Sequence, residues 1–172
     1  MQTNAAPPID TATQRSVTVD IVHQGTAKRT PVRGLKTKAR RILRLLDLEG
    51  CELSVALVGN EEIHRLNRLY RSRNEPTDVL SFPLNEPLPS GGRLIGDVVI
   101  SVEKAAQQAR KRRRTLDDEL EVLLIHGILH NLGFDHERSP QDEQEMRAME
   151  RRLRRALKLG AAPKRHSPSK AS

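Results

Sequence analysis

The stretch of sequence that most restricts the fold runs from residue 122 to residue 136 and reads VLLIHGILHNLGFDH. Its apolar spacing predicts a helix, and Gly133 is placed to end it. His126 and His130 are four residues apart, so both imidazoles should leave the same face of the helix, about one turn apart. Gly133 can adopt the left-handed conformation that reverses the chain, which would carry His136 back towards the first two rings.

Three histidines at this spacing favour a metal site. Neutral imidazoles at roughly 2.0–2.1 Å leave the fourth position of a tetrahedral zinc ion open, as in catalytic zinc sites. We therefore predict that His126, His130 and His136 bind one zinc ion. Asp135 and the acidic residues after it are candidates to orient the rings. The alternative is a hydrogen-bonded polar cluster without a metal.

The histidine spacing is also that of the metzincin peptidases, and one position distinguishes this chain from them. Those enzymes carry a glutamate general base directly after the first histidine, where this chain has Gly127. Without that carboxylate, peptide hydrolysis by their mechanism lacks its proton acceptor. A glycine within a helix costs about 1 kcal/mol relative to alanine. We therefore expect Gly127 to permit the close approach of another backbone or of a bulky substrate.

The remaining pattern predicts an α+β fold, with a small mixed sheet packed by about five helices, one of them the metzincin-like metal-site helix. Asn60 is predicted to cap the second helix, and a long Pro-rich and Gly-rich loop is predicted between the last two strands. Strands are predicted over 16–22, 52–58, 79–82 and 95–100, and helices over 35–48, 61–71, 102–112, 116–132 and 141–157. Ser101 and Thr115 are predicted to cap the third and fourth helices.

The length and composition favour one domain in a reducing compartment. We predict a folded domain over 16–159 between disordered tails, an N-terminal one over 1–15 and a basic C-terminal one over 160–172. The single cysteine, Cys51, excludes an internal disulfide and a cysteine-built zinc site, which fits the cytoplasm. The chain has no apolar run of about 18 residues and no secretory signal pattern, so we expect no membrane association.

The charge balance favours polyanionic partners. There are 30 Lys and Arg against 22 Asp and Glu, a formal net charge of +8, whereas aromatic residues make up only 2%. Such a chain can bind phosphates but cannot stack many bases. A basic run is usually a solvated face, but we predict phosphate contact for the one formed by Arg110, Lys111, Arg112, Arg113 and Arg114.

Three blocks of the sequence together resemble one known family. Residues 126–136, HGILHNLGFDH, look like the signature of the YbeY family of bacterial endoribonucleases, also called rRNA maturation factors. Residues 66–83 add Leu-Asn, Tyr-Arg and PTDVLSFP in the family's order, and residues 96–101, GDVVIS, form the third block. The resemblance covers about residues 52–157. Asn131 departs from the family pattern, which usually has leucine there, but removes no ligand.

The resemblance implies a zinc-dependent endoribonuclease that prefers single strands. It would act in rRNA processing, notably at the 3′ end of small-subunit (16S) rRNA, and in ribosome quality control. The metal ligands would be His126, His130 and His136. The implied partners are rRNA and the small ribosomal subunit, with a ribosomal protein and the GTPase Era as further candidates, and neither DNA nor a membrane.

The family's functionally important arginine matches Arg71. An arginine at a helix end beside a loop can stabilise the charge that develops on a phosphate during cleavage. The alternative is a solvent-facing arginine or one that pairs with Glu75. For Thr77 and Asp78 we favour a role in the turn and the strand entry, and Asp97 is also interpreted as structural.

Two other functions remain open at this stage. One is a ribosome-assembly binding factor that does not cleave RNA and whose zinc is structural, since no general base is evident in the histidine motif. The other is a peptidase or different hydrolase that takes its base from elsewhere in the chain.

Overall fold

The structure is a computed structural model that describes residues 17–25, 34–89, 91–135 and 138–159. The two predicted tails and His136 lie outside these residues, so the domain bounds of 16–159 stay a prediction. No helix within the described ranges is both long enough and apolar enough to cross a membrane.

The sheet has four strands in the order β1-β2-β4-β3. β1 pairs parallel with β2 and β2 parallel with β4, while β3 lies antiparallel to β4 at the edge. The strands are β1 (Thr18–His23), β2 (Glu52–Val58), β3 (Val79–Pro87) and β4 (Arg93–Ser101). The sheet is therefore mixed, as predicted.

Five helices complete the fold and confirm the predicted α+β class. They are α1 (Leu35–Leu45), α2 (Asn60–Arg71), α3 (Val102–Lys111), α4 (Leu116–Asn131) and α5 (Pro140–Leu159). The predicted boundaries of α2 to α4 agree with these to within one residue.

Both faces of the sheet are buried, because side chains alternate along each strand. Val55 of β2 and Val98 of β4 belong to the main core, together with α1, α4 and α5. Val58 and Val99 point to the other face, where Ile63 of α2 covers them. The sheet therefore separates α2 on one side from α4 on the other.

The helix caps are partly as predicted. Ser101 accepts a hydrogen bond from the Lys104 N–H and Thr115 accepts one from the Asp118 N–H, both at 3.1 Å, so these two caps are confirmed. The prediction that Asn60 caps α2 is wrong. Gly59 is the capping residue, and the Asn60 side chain instead accepts a hydrogen bond from the Ser101 hydroxyl at 2.7 Å.

The prediction of a long loop between residues 82 and 95 is also wrong. β3 continues to Pro87 and β4 begins at Arg93, so the two strands form a hairpin with a short connection. Prolines at 83 and 87 are tolerated because β3 is an edge strand, and the pairing register shifts between Pro83 and Glu86.

Candidate functional site

Helix α4 brings two of the predicted ligands together. The Nε2 atoms of His126 and His130 are 3.1 Å apart, and their ring centroids are 4.6 Å apart at an interplanar angle of 69°. Both rings line the same cavity and are half-buried. The convergence follows from the spacing of four residues, which places both side chains on one helical face.

A carboxylate from α5 orients the His126 ring. Oε1 of Glu150 lies 2.8 Å from Nδ1 of His126. Because an ionised carboxylate can only accept, this contact places the ring proton on Nδ1 and leaves the Nε2 lone pair directed at His130. A metal-binding histidine typically makes such a contact through its other nitrogen.

Glu150 reaches the site because it shares the inward face of α5 with Met146 and Leu153, both of which are buried. Glu150 is one of the acidic residues after Asp135 that we considered for this role; Asp135 itself lines the cavity and accepts a hydrogen bond from Nε of Arg138 at 3.0 Å. An acid at helical spacing among core residues was the sequence signal for Glu150.

The donor set fits a metal ion. Two nitrogens bound at roughly 2.0–2.1 Å to one tetrahedral zinc are about 3.3 Å apart, close to the separation of the two Nε2 atoms. The third predicted ligand, His136, lies outside the described residues, and within those residues no further His, Cys, Asp or Glu completes a metal-binding group. A proton shared between the two rings would also satisfy them, as the polar-cluster alternative requires.

The structure corrects our interpretation of Gly127, which faces neither another backbone nor a substrate. A Cβ atom there would lie 2.5 Å from Cγ1 of Val98 and 3.3 Å from the hydroxyl of Ser81. The glycine therefore allows α4 to pack directly on the sheet. A glutamate at this position would point into β4, which argues against a peptidase mechanism based on this helix.

Ser81 connects the histidine helix to Arg71. Its hydroxyl donates to the carbonyl oxygen of Gly127 at 3.1 Å, and its own carbonyl oxygen accepts from Nη2 of Arg71 at 3.0 Å. Ser81 is 7% exposed, so this bridge is largely shielded from water. The described contact of Arg71 is thus with β3 and not with Glu75.

A cavity of about 580 Å³ lies between α2, α4 and the start of β3. It brings His126, His130 and Arg71 to one surface. Its other lining residues are Asn67, Arg73, Glu75, Pro76, Thr77, Asp78, Val79, Leu80, Ser81 and Asp135. Two arginines and two imidazoles can contact an anionic substrate there, while three carboxylates, those of Glu75, Asp78 and Asp135, line the same cavity.

The contacts of Asp78 and Asp97 are in keeping with structural roles. Asp78 accepts hydrogen bonds from the Val79 N–H and from Gln108, both at 2.9 Å, which fixes the start of β3. The backbone oxygen of Asp97 accepts from the buried Asn131 amide at 3.1 Å. The substitution at 131 therefore adds a link between α4 and β4.

The predicted basic run does not line the cavity. It comprises the last two residues of α3 and the start of the connection to α4, and the helix rise places Thr115, which caps α4, about 17 Å from His126. Arg112 and Arg114 both pair with the fully buried carboxylate of Glu119. All five side chains are exposed, and phosphate binding by them stays a prediction.

The comparisons with known proteins converge on one family. A family model described as Endoribonuclease YbeY matches residues 21–158. A protein named Endoribonuclease YbeY from Anaeromyxobacter sp. (strain Fw109-5) is 45% identical over 91% of this chain and 81% of its own length. A second of that name, from Anaeromyxobacter dehalogenans, is 49% identical over 76% of this chain and 67% of its own.

A solved structure agrees with this assignment. The solution structure of TM1509 from Thermotoga maritima superposes with a TM-score of 0.55 at 28% sequence identity, covering 78% of this chain and 85% of that one. Together with the match of the family model over residues 21–158, these findings show that the chain belongs to the endoribonuclease YbeY family.

Proposed function

We propose that this protein is a zinc-dependent endoribonuclease that cleaves single-stranded regions of rRNA during maturation of the small ribosomal subunit. The observation that carries the proposal is the convergence of His126, His130 and Arg71 on one cavity. The names of the relatives support RNA as the substrate class. The resemblance described above supports rRNA and the small subunit.

The residues proposed to hold the ion are His126 and His130 on α4, with His136 after the helix. A bound zinc ion would act as a Lewis acid on the scissile phosphoryl group and stabilise charge on its oxygens. Glu150 holds the His126 ring through Nδ1, which would leave Nε2 as the ligand atom for the ion.

Arg71 is proposed to stabilise the negative charge that develops on the phosphate. Its guanidinium has five N–H donors, of which Nη2 uses one for the Ser81 carbonyl oxygen. The Ser81 contact fixes the side chain at the cavity, and the remaining donors can engage phosphate oxygens in the fork geometry that arginine favours.

An arginine substitution distinguishes this proposal from the non-cleaving binding factor. We expect Arg71→Ala to lower kcat for cleavage of small-subunit precursor rRNA by about 10²–10³-fold, the usual effect of removing one oxyanion-stabilising donor. Binding of the variant to precursor particles should persist. The matched control is Arg68→Ala, an exposed arginine in the same last turn of α2, which should cleave normally.

One result would favour the binding factor: a wild-type protein that carries zinc and binds precursor particles without cleaving their RNA. Cleavage by Arg71→Ala at the wild-type rate would instead refute the role proposed for Arg71.

A further inference from the structure

Two of the three aromatic residues in this chain directly flank residues that line the cavity. The chain has one Tyr, two Phe and no Trp. The rings of Tyr70 and Phe82 are in edge-to-face contact, with centroids 5.3 Å apart and an interplanar angle of 75°. The third aromatic residue, Phe134, packs against the main core.

The aromatic pair is attached directly to the Arg71 contact. Tyr70 precedes Arg71 in the last turn of α2, and Phe82 follows Ser81 in β3. Arg71 donates to the Ser81 carbonyl oxygen. Tyr70 and Phe82 are therefore the sequence neighbours of the two residues that this hydrogen bond joins. Arg71 and Ser81 both line the cavity that holds the histidines, so Tyr70 is the chain neighbour of a cavity residue.

Packing does not explain the exposure of Tyr70. Phe82 is half-buried and packs against the smaller core under α2, whereas Tyr70 is 61% exposed. The Phe82 contact fixes the Tyr70 ring and leaves most of it accessible. Tyr70 directly precedes Arg71, so the accessible ring and a guanidinium that lines the cavity are neighbours in the chain; Arg73 and three carboxylates line the same cavity.

An aromatic ring that stacks a base, combined with a cationic side chain that contacts the backbone, is the arrangement by which proteins bind single-stranded nucleic acids. We propose that Tyr70 stacks one unpaired base of the substrate next to the phosphate that Arg71 contacts, and so acts as a specificity residue for single strands. This inference rests on the proposed RNA-cleaving function. A base within a duplex is already stacked and cannot reach the ring without being unpaired. A single stacking residue also fits the composition of this chain, which excludes the stacking of many bases.

The intrinsic fluorescence of the protein tests this directly, because Tyr70 is its only tyrosine and it has no tryptophan. The full chain, treated with a chelator so that RNA stays intact, is titrated with a short oligoadenylate and with an abasic ribose-phosphate strand of equal length. Binding of each strand is followed in parallel by anisotropy of an end label. Free N-acetyltyrosinamide corrects for light absorbed by the RNA.

We expect bound oligoadenylate to quench the tyrosine emission and the bound abasic strand to leave it unchanged. Binding of oligoadenylate without quenching, or failure of oligoadenylate to bind, would overturn the inference. Quenching without any cleavage by the metal-loaded protein would support stacking while contradicting the proposed function. Cleavage without quenching would support the proposed function while contradicting stacking.

Variants separate stacking from apolar packing. Tyr70→Leu should keep the contact with Phe82 yet raise KM for a single-stranded RNA by roughly 5- to 100-fold, with kcat little changed. Tyr70→Trp should restore the wild-type KM. The control is Leu69→Ala, which removes a neighbouring side chain that is 62% exposed and should not change KM. A wild-type KM for a folded Tyr70→Leu protein would refute the role of the ring.

Discussion

At the scale of single residues, Glu150 sets the orientation of the His126 ring. It contacts Nδ1 at 2.8 Å from a different helix, so its effect on the metal site can be separated from ligand loss. We predict that Glu150→Ala lowers zinc affinity about 10- to 100-fold, the usual effect of removing a partner of a metal-binding histidine. Competition with a chelating dye measures this.

The control for Glu150 is Glu145→Ala, which removes an exposed acid from the same helix and should bind zinc as the wild type does. Equal zinc affinities for both variants and the wild type would show that the carboxylate does not support the metal site.

Gly127 sets how closely α4 approaches the sheet. Alanine there gains about 1 kcal/mol of helix propensity, but its Cβ would lie 2.5 Å from Cγ1 of the fully buried Val98. Overpacking typically costs about 1–3 kcal/mol, so we expect Gly127→Ala to lower the free energy of unfolding. Urea denaturation measures the change.

Removing the Val98 methyl groups should reverse that effect. In a Val98→Ala background, Gly127→Ala should no longer destabilise the protein, and helix propensity should make it neutral or stabilising. Stabilisation by Gly127→Ala in the wild-type background would contradict the packing explanation.

At the scale of elements, the N-terminus of α4 depends on Thr115. The Thr115 hydroxyl donates to Asp118 at 2.7 Å and accepts from its N–H at 3.1 Å, and the hydroxyl contact lowers the pKa of the Asp118 carboxyl. We predict that Thr115→Ala lowers the free energy of unfolding by about 1 kcal/mol at neutral pH. Thr115→Ser should retain most of this capping contribution.

The pH dependence of this loss has a definite sign. Because the folded-state pKa of Asp118 lies below its ordinary value of 3.8, its contribution is present above that value and is lost as the pH falls through the folded-state pKa. The stability difference between wild type and Thr115→Ala should therefore narrow on acidification, measured by urea denaturation across this range. A difference that widens would contradict the assignment.

The elements with strong local signals were predictable from sequence, and those fixed by tertiary contacts were not. Thr115 and Ser101 cap their helices as predicted, and Gly133 adopts a φ of 90° after α4. Asn60 was misassigned because its side chain bonds to Ser101, 41 residues away. The prolines of β3 suggested a loop, since edge position in a sheet cannot be read from local sequence.

The same distinction applies to the site. The spacing of His126 and His130 predicted their convergence, because both lie on one helix. Glu150 and Ser81 reach the site from α5 and β3, and their roles depend on how these elements pack against α4. Periodicity identifies the buried face of α5 but not the side chain that it meets.

At the scale of the whole molecule, the charge of +8 should make RNA binding strongly dependent on salt. For single strands, log K falls with log salt with a slope of about 0.7 per phosphate contact. If the basic run at the end of α3 binds RNA, combined Arg110→Gln, Lys111→Gln and Arg113→Gln should reduce the slope by about 2. Arg112 and Arg114 are kept because they neutralise the buried Glu119.

Filter binding over a range of salt concentrations measures this slope. An unchanged slope in the triple variant would show that the run is a solvated face. Wild-type binding that is insensitive to salt and selective for sequence would contradict phosphate-dominated recognition altogether.

The central claim is that His126, His130 and His136 bind one metal ion on which RNA cleavage depends. The most direct test is metal analysis of the purified protein together with cleavage of small-subunit precursor rRNA, for the wild type and His130→Ala. We predict one zinc per wild-type chain and the loss of zinc and of cleavage together in the variant. After treatment with a chelator, returning zinc should restore cleavage by the wild type but not by the variant. Robust cleavage by protein shown to be free of metal would contradict it.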